Sequence, residues 1–172
     1  DSEWVYLAYR RLADDRIMSV SFGDTSYYEV EVGQGTSLSA PVVSSERAAG
    51  NSCQVIVYHD SDDTVRMALS YDNGASWDLP EAIASGIYPF VDINPETGGS
   101  AIAYVDEAND RVMAASASEI GLIPSSTFQI VSEQPVVTSC PPMARHGYQS
   151  DEVALFYMNP GTAAPSIPQN LW

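Results

Sequence analysis

QVIVYHDSDDTVRMALSYDNG, Gln54 to Gly74, reads as two strands folded back on an acidic turn. QVIVY is a short run rich in β-formers and bounded by turn residues, and VRMALSYD alternates well enough for a half-buried strand. The Asp residues between them favour a tight reversal because their side chains bond the local backbone. No window along the chain carries an apolar stripe at helical spacing over a useful length.

The pattern recurs outward in both directions. WVYLAYRRLADDRIMSVSFGD starts at Trp4, AIAYVDEANDRVMAASASEIG at Ala101, and a shorter EVALFYMNPG at Glu152. Tyr9, Tyr58, Tyr104 and Tyr157 anchor the copies at spacings of 46 to 53 residues. Met18, Met67 and Met113 each follow their tyrosine by nine residues, and Ser21, Ser70 and Ser116 by twelve. A proline followed by apolar residues precedes the later tyrosines, at Pro41, Pro89 and Pro142. A register shared by three units is hard to produce by chance. Each unit reads as four strands: the first after the proline, the second ending near the tyrosine, the third carrying Met and Ser, the fourth starting near Trp77. A repeated four-stranded unit of this length marks a β-propeller blade, since one sheet cannot bury both its faces except against a neighbour. The expected fold is all-β, a β-propeller of four-stranded antiparallel blades. About three and a half blades occupy residues 1–160, and a Pro-rich extended tail occupies residues 161–172.

Ser70-x-Asp72-x-Gly74-x-x-Trp77 closes the quoted stretch and runs just past it. Gly74 can take a positive φ that other residues resist, the Asp72 carboxylate can accept N–H groups of its own turn, the Ser70 hydroxyl can add a local bond, and Trp77 can plug the space between layers. The pattern resembles the Asp-box, or BNR repeat, of sialidases and related β-propellers. The match to its core is complete at this one place, while residues 21–24 and 116–121 resemble worn copies without the Trp. In that family the turn lies on the face away from the active site, so the resemblance makes Ser70, Asp72, Gly74 and Trp77 structural.

The 172 residues carry 23 Asp and Glu against seven Arg and no Lys, a net charge of −16. Such a surface repels nucleic acid and anionic membranes and suits a salty medium, divalent cations or a cationic partner. No apolar run is long enough to insert in a bilayer, and none looks like a signal peptide. The first residue, Asp1, fits either a removed leader or an excised piece.

In propellers of the kind this resemblance implies, ligands meet the face built from loops between second and third strands and from connections between blades. Those loops are RRLADDR (Arg10 to Arg16), HDSDDTVR (His59 to Arg66) and VDEANDR (Val105 to Arg111), all acidic. Two readings stand. In one, Asp and Asn favour the turn and the arginine ending each loop pairs with them. In the other, a ring of carboxylates, with Asp60, Asp62 and Asp63 as metal ligands, collects Ca2+ or a cationic partner. DSDD lacks the length and terminal Glu of an EF-hand loop.

Sialidase chemistry, which the resemblance also implies, needs three arginines on the substrate carboxylate, a Tyr nucleophile with a Glu partner and an acid/base Asp. No arginine motif of that kind stands near the start of the chain, and an acidic mouth repels an anionic sugar. No catalytic residue is assigned. Three residues after the strand-opening prolines come Ser44, Asp92 and Arg145. If those first strands line the axis, Asp92 and Arg145 point into the channel, as ligand-binding residues or as a structural pair.

Cys53 precedes a second strand and Cys140 a first strand about two blades away, so their Cα atoms are not expected within the roughly 7 Å that a disulfide needs. The tail, with Ile167, Leu171 and Trp172, reads as a strap onto a neighbour or as a linker. Open sheet edges call for self-association or for the remainder of a longer chain. The expected role is a non-catalytic, extracellular or particle-surface module for glycan or ligand binding, attachment or assembly. The alternatives are part of an exo-sialidase-type glycoside hydrolase and a purely structural filament or virion subunit.

Overall fold

The computed structural model describes residues 4–35, 39–45, 53–125, 127–132, 135–136, 141–146, 152–157 and 169–171. Every regular element among them is a strand, apart from two 3-10 turns at Glu107–Asn109 and Ile120–Ser125. The first sheet holds β1 (Val5–Arg11), β2 (Arg16–Phe22) and β3 (Tyr27–Gln34). The second holds β4 (Val42–Ser45), β5 (Gln54–His59), β6 (Thr64–Ser70) and β7 (Glu81–Ser85). The third holds β8 (Ile87–Ile93), β9 (Ser100–Asp106), β10 (Arg111–Ala117) and β11 (Gln129–Ile130). The fourth holds β12 (Met143–His146), β13 (Val153–Phe156) and β14 (Gln169–Leu171). All paired strands run antiparallel in chain order, so each copy of the sequence pattern forms one meander.

The sheets stack face to face in the order of the chain, and the two-residue period of a strand sorts side chains between neighbours. In β5, Ile56 and Tyr58 pack towards the first sheet with Ile17 and Val32. Val55 and Val57 pack the other way, against Val91, Ile93 and Ile102 of the third sheet. In β9, Ala101, Ala103 and Val105 face Ala144, Val153 and Leu155 of the fourth. Strands covered on both faces read as unbroken apolar runs, which is why QVIVY and AIAYV lack alternation. Burial of each such Val or Ile contributes about 1.5–3 kcal/mol. The inner strands β4, β8 and β12 touch from sheet to sheet.

Three details differ from the sequence reading. The fourth strand of the second sheet starts at Glu81 rather than near Trp77, because the chain first rounds a corner in which Asp78 N donates to Leu69 O at 2.8 Å. Gln169–Leu171, assigned to the tail, pairs with β13 as a third strand of the fourth sheet. The methionines keep their sequence offset but not their place. Met18 opposes Tyr9 and Met113 opposes Tyr104, whereas Met67 opposes Val57 on the other face. The cause is hairpin length: residues 12–15 and 107–110 separate the closing pairs of two hairpins, and residues 60–64 those of the third. One extra residue flips a side chain across the sheet. Cys140, Ile167 and Trp172 lie outside the described residues. Cys53 is buried.

Candidate functional site

Each sheet has two ends with different chemistry. At one end the β6–β7 corner closes on itself. Ser70 Oγ donates to Asp72 Oδ1 at 2.9 Å and accepts from Gly74 N at 2.9 Å. The Asp72 carboxylate also accepts from Ser76 N at 2.9 Å and Ser76 Oγ at 2.5 Å. Burial pushes the Asp72 carboxyl up, but the bonds from Ser76, Ser70 and Ala75 outweigh it and hold it below the usual carboxylate value. Asn73 and Gly74 take φ of 61° and 80°. The corner docks on the first sheet: Ser21 Oγ donates to Asn73 O at 2.7 Å, Tyr6 Oη to Asn73 Oδ1 at 3.2 Å, and Trp77 packs against the cluster between the two sheets.

At the other end lie the acidic hairpins, and one device repeats in all three. Asp15, Asp63 and Asp110 take left-handed φ of 58°, 56° and 51°. Asp tolerates this conformation better than most residues because its short polar side chain bonds locally. The reversal turns each carbonyl towards the segment leaving the same sheet. Asp15 O accepts from Gly35 N at 2.8 Å, Asp63 O from Gly86 N at 2.7 Å and Asp110 O from Val136 N at 2.9 Å. The carboxylates themselves have close partners. Arg11 holds Asp14 through two bonds of 2.8 and 2.6 Å, which keeps the Asp14 carboxyl below its usual range. Arg66 pairs with Asp60 and reaches Asp62 at 3.5 Å, and His59 Nε2 lies 2.9 Å from Asp63. Among the described residues no group of three or more His, Cys, Asp or Glu is placed to hold a metal ion.

The tyrosines that anchor the repeat are fitted between sheets. A side chain at Gly33, near the end of β3, would overlap the Tyr58 hydroxyl, and one at Gly86, after β7, would overlap the Tyr104 ring. Tyr157 Oη donates to Val131 O beyond β11 at 3.5 Å. Each tyrosine thus reaches back to the exit of the preceding sheet. Burial pushes the Tyr58 hydroxyl up to about 12, with nearby Asp60 adding to the rise.

The inner strands carry the third set of residues. Ser44, Asp92 and Arg145 pair with Val55, Ala101 and Ala154, equivalent points near the corner end of β4, β8 and β12. Ser44 Oγ accepts from Ile93 N of the next inner strand at 3.0 Å. Asp92 is half-buried on the face of β8 that meets the fourth sheet, and Arg145 is exposed on the far face of the fourth sheet. The structure therefore places Asp92 and Arg145 on successive sheets, on faces of the same kind, and away from the acidic hairpins.

Sequence reasoning missed Tyr88. It sits at the hairpin end of β8, where the register shifts between Ile87 and Phe90, with φ of 52°. A bulky residue rarely adopts that conformation, and one before a proline is restricted further. Tyr88, Phe90 and Asp92 alternate along β8 as a half-buried stripe between buried Ile87, Pro89, Val91 and Ile93, with the Tyr88 and Phe90 rings packed against the cluster between the third and fourth sheets. Its trace in sequence is the aromatic–Pro–aromatic order of residues 88–90, which by itself reads only as a strand opening.

No protein-family model matches the chain, and no curated protein matches its sequence. Its fold is similar to that of a fucose lectin from Kordia zhangzhouensis, solved in complex with methyl-fucoside, with TM-score 0.53 and 8% identity over 75% of this chain and 90% of the lectin. The likeness is to β-propeller folds. The GH43_1 enzyme from Xanthomonas citri, solved with xylotriose, gives TM-score 0.51 and 13% identity over 91% of this chain and 59% of the enzyme. The same enzyme without the sugar gives TM-score 0.50 and 15% identity. At such identities the likeness is one of fold. The chain spans nearly the whole lectin and 59% of the enzyme's length. No helix among the described residues is long and apolar enough to cross a membrane.

Proposed function

We propose that this chain is a non-catalytic glycan-binding module of β-propeller type. The observation that carries the reading is the fold match to a fucose lectin, over 75% of this chain and 90% of the lectin. The net charge of −16 favours a neutral sugar over an acidic one. The ligand surface proposed is the β8 stripe. The exposed part of the Tyr88 ring, whose remainder packs on the core between the third and fourth sheets, meets the C–H groups of a sugar, and the Asp92 carboxylate accepts from its hydroxyls. Arg145, on the far face of the fourth sheet, stands apart from this surface. The setting that goes with this reading is extracellular or a particle surface, where glycans are displayed.

A glycan array carrying fucosylated, xylose-containing and sialylated glycans tests the proposal. Binding to neutral glycans, lost in Tyr88→Ala and Asp92→Ala and accompanied by no turnover of aryl glycosides, is the expected result. Silence across the array would sink it. The second reading, part of a glycoside hydrolase, is favoured by the match over 91% of this chain. Hydrolysis of an aryl xyloside by the chain, with release of the phenol and free xylose, would replace the lectin reading with that one.

A further inference from the structure

We propose that copies of this chain associate head to tail, the outer face of the fourth sheet of one copy packing on the outer face of the first sheet of the next. The ground is a packing rule that the chain obeys at every internal interface. The later sheet always contributes its tyrosine face, and the earlier sheet the opposite one. Tyr58 lodges at Gly33 of the first sheet, Tyr104 at Gly86 of the second, and Tyr157 bonds Val131 of the third.

Applied to the two end sheets, the rule leaves one face of each kind open among the described residues. The tyrosine face of the first sheet carries Val5, Leu7 and Tyr9, with Phe22 and Tyr27 opposite Val5 in the register. Among the described residues no sheet lies against it. Tyr9 is 36% exposed where Tyr58 is 2%, and its hydroxyl turns instead to Glu29 at 2.6 Å. The open face of the fourth sheet is of the opposite kind. Met143 pairs with Phe156 on it, both more than two-fifths exposed, and Arg145 follows on the same side.

The occupant is a second copy because one chain presents both halves of the interface it already uses three times. Two tyrosine faces do not complement one another under that rule, so the contact is heterologous, and it closes into a ring or extends as a fibre according to the rotation between copies. Arg145 stands on one face and Glu29 on the other, where Glu31 is already paired with Arg16. Repulsion between chains of charge −16 opposes association, so added salt strengthens it.

Sedimentation velocity of the full chain, from micromolar to sub-millimolar concentration in low and high salt, should show mass rising with both. Leu7→Asp blocks one face and Phe156→Asp the other, and each variant alone should sediment as monomer. Mixed in equal amounts, they still share one intact interface and should form a dimer of twice the monomer mass. Wild-type chain that stays monomeric overturns the proposal, whether its faces are covered by more of a longer polypeptide or by nothing. So does a mixture that stays monomeric, or a single-face variant that associates like wild type. Both positions are exposed, and circular dichroism checks that each variant is folded. Tyr27→Asp replaces Leu7→Asp on the same face if that variant does not fold.

Discussion

The Tyr58 hydroxyl occupies the place into which any side chain at Gly33 would project. The two residues belong to different sheets, and the fit is repeated one sheet later by Tyr104 and Gly86. Close packing of this kind makes a single methyl group felt.

Gly33→Ala and Gly86→Ala should both lower stability, by about 1–3 kcal/mol. Gly86→Ala should cost more. Its methyl would meet the Val105 backbone oxygen as well as the Tyr104 ring, whereas at Gly33 the nearest atom is the movable end of a side chain. Urea midpoints of the two variants give the comparison.

The β6–β7 corner should respond to two substitutions through different causes. Gly74→Ala places a methyl against Ser21 Oγ, 2.8 Å away, at a φ of 80°, and should destabilise by about 1–2 kcal/mol. Asp72→Asn keeps the shape, weakens the charge-assisted bonds and should cost about 1 kcal/mol near neutral pH. Since the Asp72 carboxyl titrates below its usual value when folded, its contribution is complete above about pH 4 and fades as pH falls through the lowered value. Thermal melts of wild type and Asp72→Asn should therefore converge in acid.

At the alkaline limit the sign reverses. Tyr58 is protonated in both states below about pH 10, but in the unfolded chain it ionises near that value and in the folded protein at about 12. The unfolded state thus loses a proton first, and stability falls as pH rises from about 10 to 12, by on the order of 2 kcal/mol from this residue. Tyr58→Phe should flatten the fall. Phenolate absorbance recorded alongside circular dichroism follows both events.

Tyr88 separates stability from binding. Its φ of 52° carries strain of about 1 kcal/mol, which Tyr88→Gly removes. That variant should be at least as stable as Tyr88→Ala, since glycine accepts the conformation, yet both should lose glycan binding equally. Retained binding in Tyr88→Gly would dismiss the ring as a ligand platform.

The sequence by itself determined the all-β class and the four-fold repetition, because strand period and turn chemistry are local: QVIVY, AIAYV and their hairpins are legible within a few residues. It also marked the corner from Ser70 to Trp77, whose internal side-chain bonds run between residues at most four apart. What lay between sheets was decided only by tertiary structure. Nothing in the chain order links Gly33 to Tyr58 or Gly86 to Tyr104, since each contact needs two sheets already folded. The acidic hairpins read as turns or as a cation ring, and only the structure showed the arginine partners and left-handed aspartates that shape them. Asp92 and Arg145 shared an offset from proline, but the stacking order put them on faces of successive sheets. One extra hairpin residue was enough to send Met67 to the opposite side from Met18 and Met113, because a strand's side-chain period is two and sequence spacing alone does not count loop residues.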